Sequence, residues 1–260
     1  MFETLSLEHD DRGVATLTLA RPEKHNALSG AMIDELSHAA ALLGADDAVR
    51  VVVLTGQGQS FCAGGDLAWM QASARADAAG RRAEARRLAD MLGALDALPK
   101  PLIGQINGPA YGGGVGLISV CDVAIGAVHA KLGLTETRLG LIPATIGPYV
   151  VARLGPGMAR QVFMSGRIFG ADEAVRLGLL ARTALPEALA AAVAEEVAPY
   201  LACAPGAVAD AKSLLRRLGG APDPATIDAT LDALVARWES DEAAEGIEAF
   251  FAKRPPSWKR

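Results

Sequence analysis

The sequence predicts an α/β protein with a helical C-terminal region. Segments of strand and helix periodicity alternate through the first two thirds of the chain. One strand segment, "VRVVVLTG" at residues 49–56, is a continuous β-branched run of the kind needed by a sheet covered on both faces. From Pro186 onward no strand pattern remains, and three helical patterns follow. These features divide the chain into a core, residues 1–185, and a helical region, residues 186–260.

In order, "TLSLEHD" and "GVATLTLA" alternate with period two about a break at residues 10–12, which predicts a hairpin. The turn "RPEKHNAL" leads into a helix over 29–43, with Met32, Leu36, Ala39, Ala40 and Leu43 on one face. After strand 49–56, "FCAGGDL" places small residues before a helix start at Asp66. An Ala- and Arg-rich helix over 77–98 comes next. "PLIGQINGPA" predicts a buried strand and a turn, and "CDVAIGA" another strand beyond the glycine-rich "YGGGVGL". Strand, helix, strand in repetition implies crossover connections. The C-terminal patterns begin at "PEALAAAVAEEVAPYLA", "PGAVADAKSLLRRLG" and "PATIDATLDALVARWESDEAAEGIEAFFAKR".

Composition narrows the function. A net charge of −5 with scattered Lys and Arg leaves no basic stripe for nucleic acid or anionic lipid. Residues 101–121 lack a formal charge, but two prolines and six glycines there argue for strand, turn and helix rather than a membrane span. Cys62, Cys121 and Cys203 have no metal-ligand spacing and sit among apolar neighbours, so all three are expected to be reduced core residues of a cytoplasmic protein. The acidic N-terminus has no signal-peptide pattern.

Two Gly-rich corners carry the chemistry. A glycine turn opening a helix offers unpaired backbone N–H groups to a phosphate or to an oxygen gaining negative charge. "GGGVG" lacks the G-x-G-x-x-G spacing and any following Lys-Ser or Lys-Thr, so the phosphate alternative is poor. Close helix packing remains the other explanation.

Together with "RPEKHNAL", "GQGQSFCAGGDL", "INGPAYGGGVGL", "CDVAIGA", "LTETRLGLIP" and "FFAKRPPSW", these corners resemble the crotonase (enoyl-CoA hydratase/isomerase) superfamily over nearly the whole chain. The resemblance implies a spiral of ββα repeats whose C-terminal helices assemble a homotrimer or a dimer of trimers. It implies an acyl-CoA thioester as substrate, no separate cofactor, and no metal. It also implies an oxyanion hole from the N–H groups of Gly65 and Gly113, with Gly112 beside it. Ala63 falls at the adenine pocket, Arg21 and Lys24 fall near the CoA chain, and Glu136 is the catalytic acid or base. Gly116 stands where family hydratases commonly carry a second glutamate, and is expected beside the substrate. "GLIPATIGPYVVARLG", "GDLAWM" and "KRPPSW" resemble the bacterial 3-methylglutaconyl-CoA hydratases of leucine breakdown. A distal carboxylate on such a substrate would hold the water itself and would be met by Lys131, Arg138 or Arg153. Hydration, isomerisation by Glu136 alone, and acyl-CoA binding without turnover are the three functions the resemblance leaves open.

Overall fold

The computed structural model of the protein describes residues 2–259. The first strand pair is the predicted hairpin: β1 (Leu5–His9) pairs antiparallel with β2 (Val14–Leu19). Ser29 then caps α1 (Gly30–Ala45), accepting from the Met32 N–H, and all five residues of the predicted apolar face are buried. β3 (Val51–Gly56) is buried along its whole length. α2 (Leu67–Arg75) and α3 (Ala78–Asp96) follow, then β4 (Leu102–Ile106), β5 (Ala110–Tyr111), α4 (Gly113–Ser119), β6 (Val123–Ala127) and β7 (Lys131–Gly133). Beyond a 3-10 turn, Glu136–Leu139, come α5 (Gly147–Phe163), β8 (Ile168–Gly170), α6 (Ala171–Arg176) and β9 (Arg182–Ala184). Four helices end the chain: α7 (Leu189–Leu201), α8 (Pro205–Leu218), α9 (Pro224–Trp238) and α10 (Asp241–Phe251).

The main sheet has the order β1-β2-β3-β4-β6-β9, parallel from β2 onward, and a small sheet has the order β5-β7-β8. The run Val51, Val52, Val53, Leu54 shows why β3 must be apolar throughout. Val52 and Leu54 enter the large core with α1 and α3, whereas Val51 and Val53 meet Leu189, Val193 and Val197 of α7 on the opposite face. The first C-terminal helix is thus the outer layer of the sheet.

Asp122, which ends the apolar run of α4, ties three segments together. Its carboxylate accepts from the Leu102 N–H and from the buried Lys212 ammonium of α8, each at 2.7 Å. Lys212 also donates to the Lys100 carbonyl at 3.1 Å.

Three expectations change. The third C-terminal pattern is two helices, because Ser240 turns the chain and caps α10 through the Ala243 N–H. Cys62 and Cys121 are buried, but Cys203 is exposed because it lies in the turn between α7 and α8. The apolar faces of α9 and α10, part of the C-terminal region expected to assemble the oligomer, are covered in part within the chain. Leu231 is fully buried with Ile227 and Leu234 against Ala85 and Ala89 of α3, and Phe251 packs near Leu141 and Ile247. Exposed apolar side chains of the C-terminal region lie on α8, at Leu214, Leu215 and Leu218, on α10, at Phe250, and beyond it at Trp258. Among the described residues no helix is long and apolar enough to cross a membrane.

Candidate active site

Two backbone corners meet where β3 and β4 end. The Phe61 and Cys62 N–H groups donate to the Pro109 carbonyl, and the Tyr111 N–H donates back to Cys62 O at 3.0 Å. This contact leaves no room for side chains. A Cβ on Gly114 would lie 2.3 Å from Cys62 O, and one on Gly64, whose φ is +90°, would lie 2.9 Å from Tyr111 O. Packing therefore accounts for Gly64 and Gly114.

The turn at residues 25–28 clamps the first corner from its other side. Ala63 N–H donates to His25 O, Leu28 N–H to Gly64 O at 2.7 Å, and Asp66 N–H to Leu28 O at 2.9 Å. Fully buried Asn26 holds that turn, accepting from the Arg21 N–H and donating to the carbonyls of Gln57 and Ser60. Arg21 pairs with Asp66 at 3.0 Å and donates to Ala27 O. Burial works against the Asp66 carboxylate, but the Ala68 N–H at the start of α2 and Arg21 outweigh it and hold its pKa below the ordinary value. Arg21 is thus committed to the fold. Lys24 is exposed on its turn, and neither Arg21 nor Lys24 lines the cavity described below.

Gly65 and Gly113 have a second feature, although a Cβ on Gly113 would also lie 2.6 Å from Leu28 Cδ1. The pairing with Leu28 uses the groups on either side of Gly65, so its own N–H faces away from that bridge. Gly113 is the first residue of α4, where an N–H has no partner within the helix. Neither N–H has an acceptor among the described hydrogen bonds. Before it, Gly112 takes φ +47° and ψ −113°, a conformation that side-chain-bearing residues rarely adopt.

Both glycines line a cavity of about 620 Å³ together with Ala63, Gly112 and Glu136. A Cβ added to Gly112 would lie 3.0 Å from Glu136 Oε1, which sets the carboxyl directly against this backbone. Glu136 Oε2 is sealed from solvent and has no hydrogen-bond partner among the described residues. Burial pushes the Glu136 pKa up to about 7, only weakly countered by its own N–H. Most of the remaining wall is apolar, and Leu234 and Trp238 of α9 and Phe250 of α10 close it.

Gly116 is not in that wall, contrary to expectation. It is buried in α4, where an added Cβ would lie 2.6 Å from Ile146 Cγ2 and 3.5 Å from Leu92 Cδ1. Ile146 lines the cavity in its place. Ile146 lies within "GLIPATIGPYVVARLG", the segment on which the finer resemblance rests. Arg153 is occupied by the carbonyls of Cys121, Asp122 and Gly178, and Lys131 is exposed on β7 away from the cavity. Arg138 lines the cavity.

A family model described as enoyl-CoA hydratase/isomerase matches residues 9–260. A crotonyl-CoA hydratase of Syntrophomonas wolfei is 32% identical over 97% of this chain and 96% of its own. A 1,2-epoxyphenylacetyl-CoA isomerase of Escherichia coli is also 32% identical, over 97% of each chain. The crystal structure of an enoyl-CoA hydratase from Shewanella pealeana superimposes with a TM-score of 0.81 at 35% identity, covering 99% of this chain and 97% of that one.

Two outcomes follow from the geometry. Gly116→Glu overpacks Ile146 and buries a charge, so it lowers stability by at least about 2 kcal/mol in urea titrations; Ile146→Ala in the same chain recovers part of the loss. Glu136 has a folded pKa of about 7 against an ordinary value of 4.5. Its neutral form is therefore favoured by folding, and the wild type loses stability relative to Glu136→Gln as pH rises from about 4.5 through 7. Parallel melting curves of the two proteins across that window check the sign.

Proposed function

Since the chain belongs to the enoyl-CoA hydratase/isomerase family of enzymes, we propose that it is a hydratase of branched enoyl-CoA thioesters, with 3-methylglutaconyl-CoA as substrate. The observation that carries this is the approach of one buried, unpaired carboxyl to a backbone with two free N–H groups in an apolar cavity. In the proposed reaction the thioester oxygen accepts hydrogen bonds from Gly65 and Gly113. Preorganised donors of this kind stabilise the negative charge that develops on that oxygen as the α,β double bond is broken. Glu136 takes a proton from water while the water oxygen bonds to the β-carbon, and it then gives a proton to the α-carbon. The carboxylate is restored, and the elements of water have been added. A carboxylate on the substrate takes over the second acid's task of holding the water. CoA enters as part of the substrate and no further cofactor is used.

A pKa near 7 suits a group that must both accept and donate a proton. That Glu136 is the single carboxyl among the cavity's described lining also favours a second reading, isomerisation, in which one base moves a proton between carbons and no water is gained. Mass spectrometry of products from 3-methylglutaconyl-CoA and crotonyl-CoA separates the two. The hydratase adds water, faster to the carboxylated substrate; an isomerised product of unchanged mass favours the second reading, and binding without turnover overturns both. Glu136→Gln lowers kcat by ~10²- to 10⁴-fold while acyl-CoA binding persists.

Assembly as a homotrimer or dimer of trimers is part of the same proposal. The exposed leucines of α8, Leu214, Leu215 and Leu218, form an apolar patch of the kind that partner contacts cover. Light scattering at micromolar concentration gives a trimer or hexamer mass; a monomer refutes the assembly.

A further inference from the structure

The cavity wall holds two charged residues, Glu136 and Arg138, two positions apart on one 3-10 turn. They do not neutralise one another. Glu136 Oε2 has no partner, and no neighbouring cation counters the burial that raises its pKa. Among the described residues the Arg138 side chain makes no hydrogen bond or ion pair, although the residue lines the cavity and is exposed.

Its side chain is nevertheless placed by packing. Gly166, with φ +62°, leaves the space it needs: a Cβ there would lie 2.9 Å from Arg138 Cγ and 3.3 Å from Nε. Ile168, just beyond, belongs to the same wall. The result is a guanidinium with open donors, seated at the edge of an apolar chamber whose other charge is a carboxyl. An anionic group entering that chamber would lose its hydration without compensation elsewhere along Ile33, Leu88, Leu141 and Ile142.

We propose that Arg138 is a specificity residue that receives a carboxylate at the far end of the acyl chain, so that the preferred substrates are thioesters of dicarboxylic acids. The assignment rests on the reading of the cavity as an acyl-CoA site. The guanidinium fork matches a carboxylate with two parallel N–H donors, and its fixed charge leaves Glu136 free to titrate. Lys131 and Arg153 do not compete, the one lying off the cavity and the other being bound to carbonyls.

Binding of unreactive saturated probes tests this independently of turnover. Calorimetry with 3-methylglutaryl-CoA, isovaleryl-CoA and free CoA is carried out on the wild type, Arg138→Met, Arg138→Lys and Lys131→Met. The wild type is expected to prefer 3-methylglutaryl-CoA over isovaleryl-CoA by roughly 10- to 100-fold, the value of a charge-assisted hydrogen-bonded pair. Arg138→Met abolishes that preference, Arg138→Lys keeps part of it, and Lys131→Met keeps all of it. An equal loss for all three probes in Arg138→Met would mean that the arginine meets a CoA phosphate, and would overturn the proposal. So would an unchanged preference. A preference that depends on Arg138 in a protein whose product gains no water upholds the assignment and refutes the hydratase reading alone.

Discussion

The structure depends on one close approach, that of the backbone at residues 62–65 to the backbone at residues 110–114. Cys62 O accepts from the Tyr111 N–H, and the carbonyls of Cys62 and Tyr111 occupy the space where Cβ atoms of Gly114 and Gly64 would be. Any side chain there forces the corners apart, because the obstructing atoms are backbone and cannot rotate away. Once they are together, the start of α4 and the residue before Asp66 line a common chamber, and their N–H groups have no acceptor among the described hydrogen bonds. In the proposed reaction these groups serve as donors that need no reorganisation when charge arrives.

The clamp on this approach comes from the turn after β2, residues 21–28. Asn26, Leu28 and Arg21 fasten the 63–66 corner through the main-chain bonds of Leu28 and through the Arg21–Asp66 pair. Asp66 also caps α2, whose Trp69 and Met70 form part of the cavity wall. One carboxylate thus couples a turn, a corner and a wall. Loss of Arg21 would leave Asp66 partly buried without its counter-charge, an expense that falls on the corner rather than on any bound ligand.

Glu136 occupies the opposite situation, kept apart from any partner. A buried carboxyl lacking a hydrogen bond at one oxygen is unfavourable for folding. It lies in the 3-10 turn that follows the small sheet, with α10 packed against that turn. Trp238 and Phe250 come from helices far along the chain, so the cavity is closed by the same segments that were read at first as a separate region. The adjoining Arg138 lies close in sequence to Glu136 without relieving its isolation.

The amino-acid sequence determined the strands and helices from β1 to β4, α4 and β6, the helix starts at Ser29 and Asp66 and the two glycine corners, while Glu136 was placed by the resemblance of its motif. These are short-range matters: periodicity, capping and the sterics of glycine act over a few residues, and they can be read from neighbours. What Gly116 faces was decided by tertiary structure alone. Ile146, thirty positions away, fills the space beside it, and no local rule relates the two. The commitment of Arg21 to Asp66, the seating of Arg138 over Gly166, and the burial of Leu231 against α3 belong to the same class. In each, a residue's chemistry is legible from its type, but its partner is chosen by how distant segments pack.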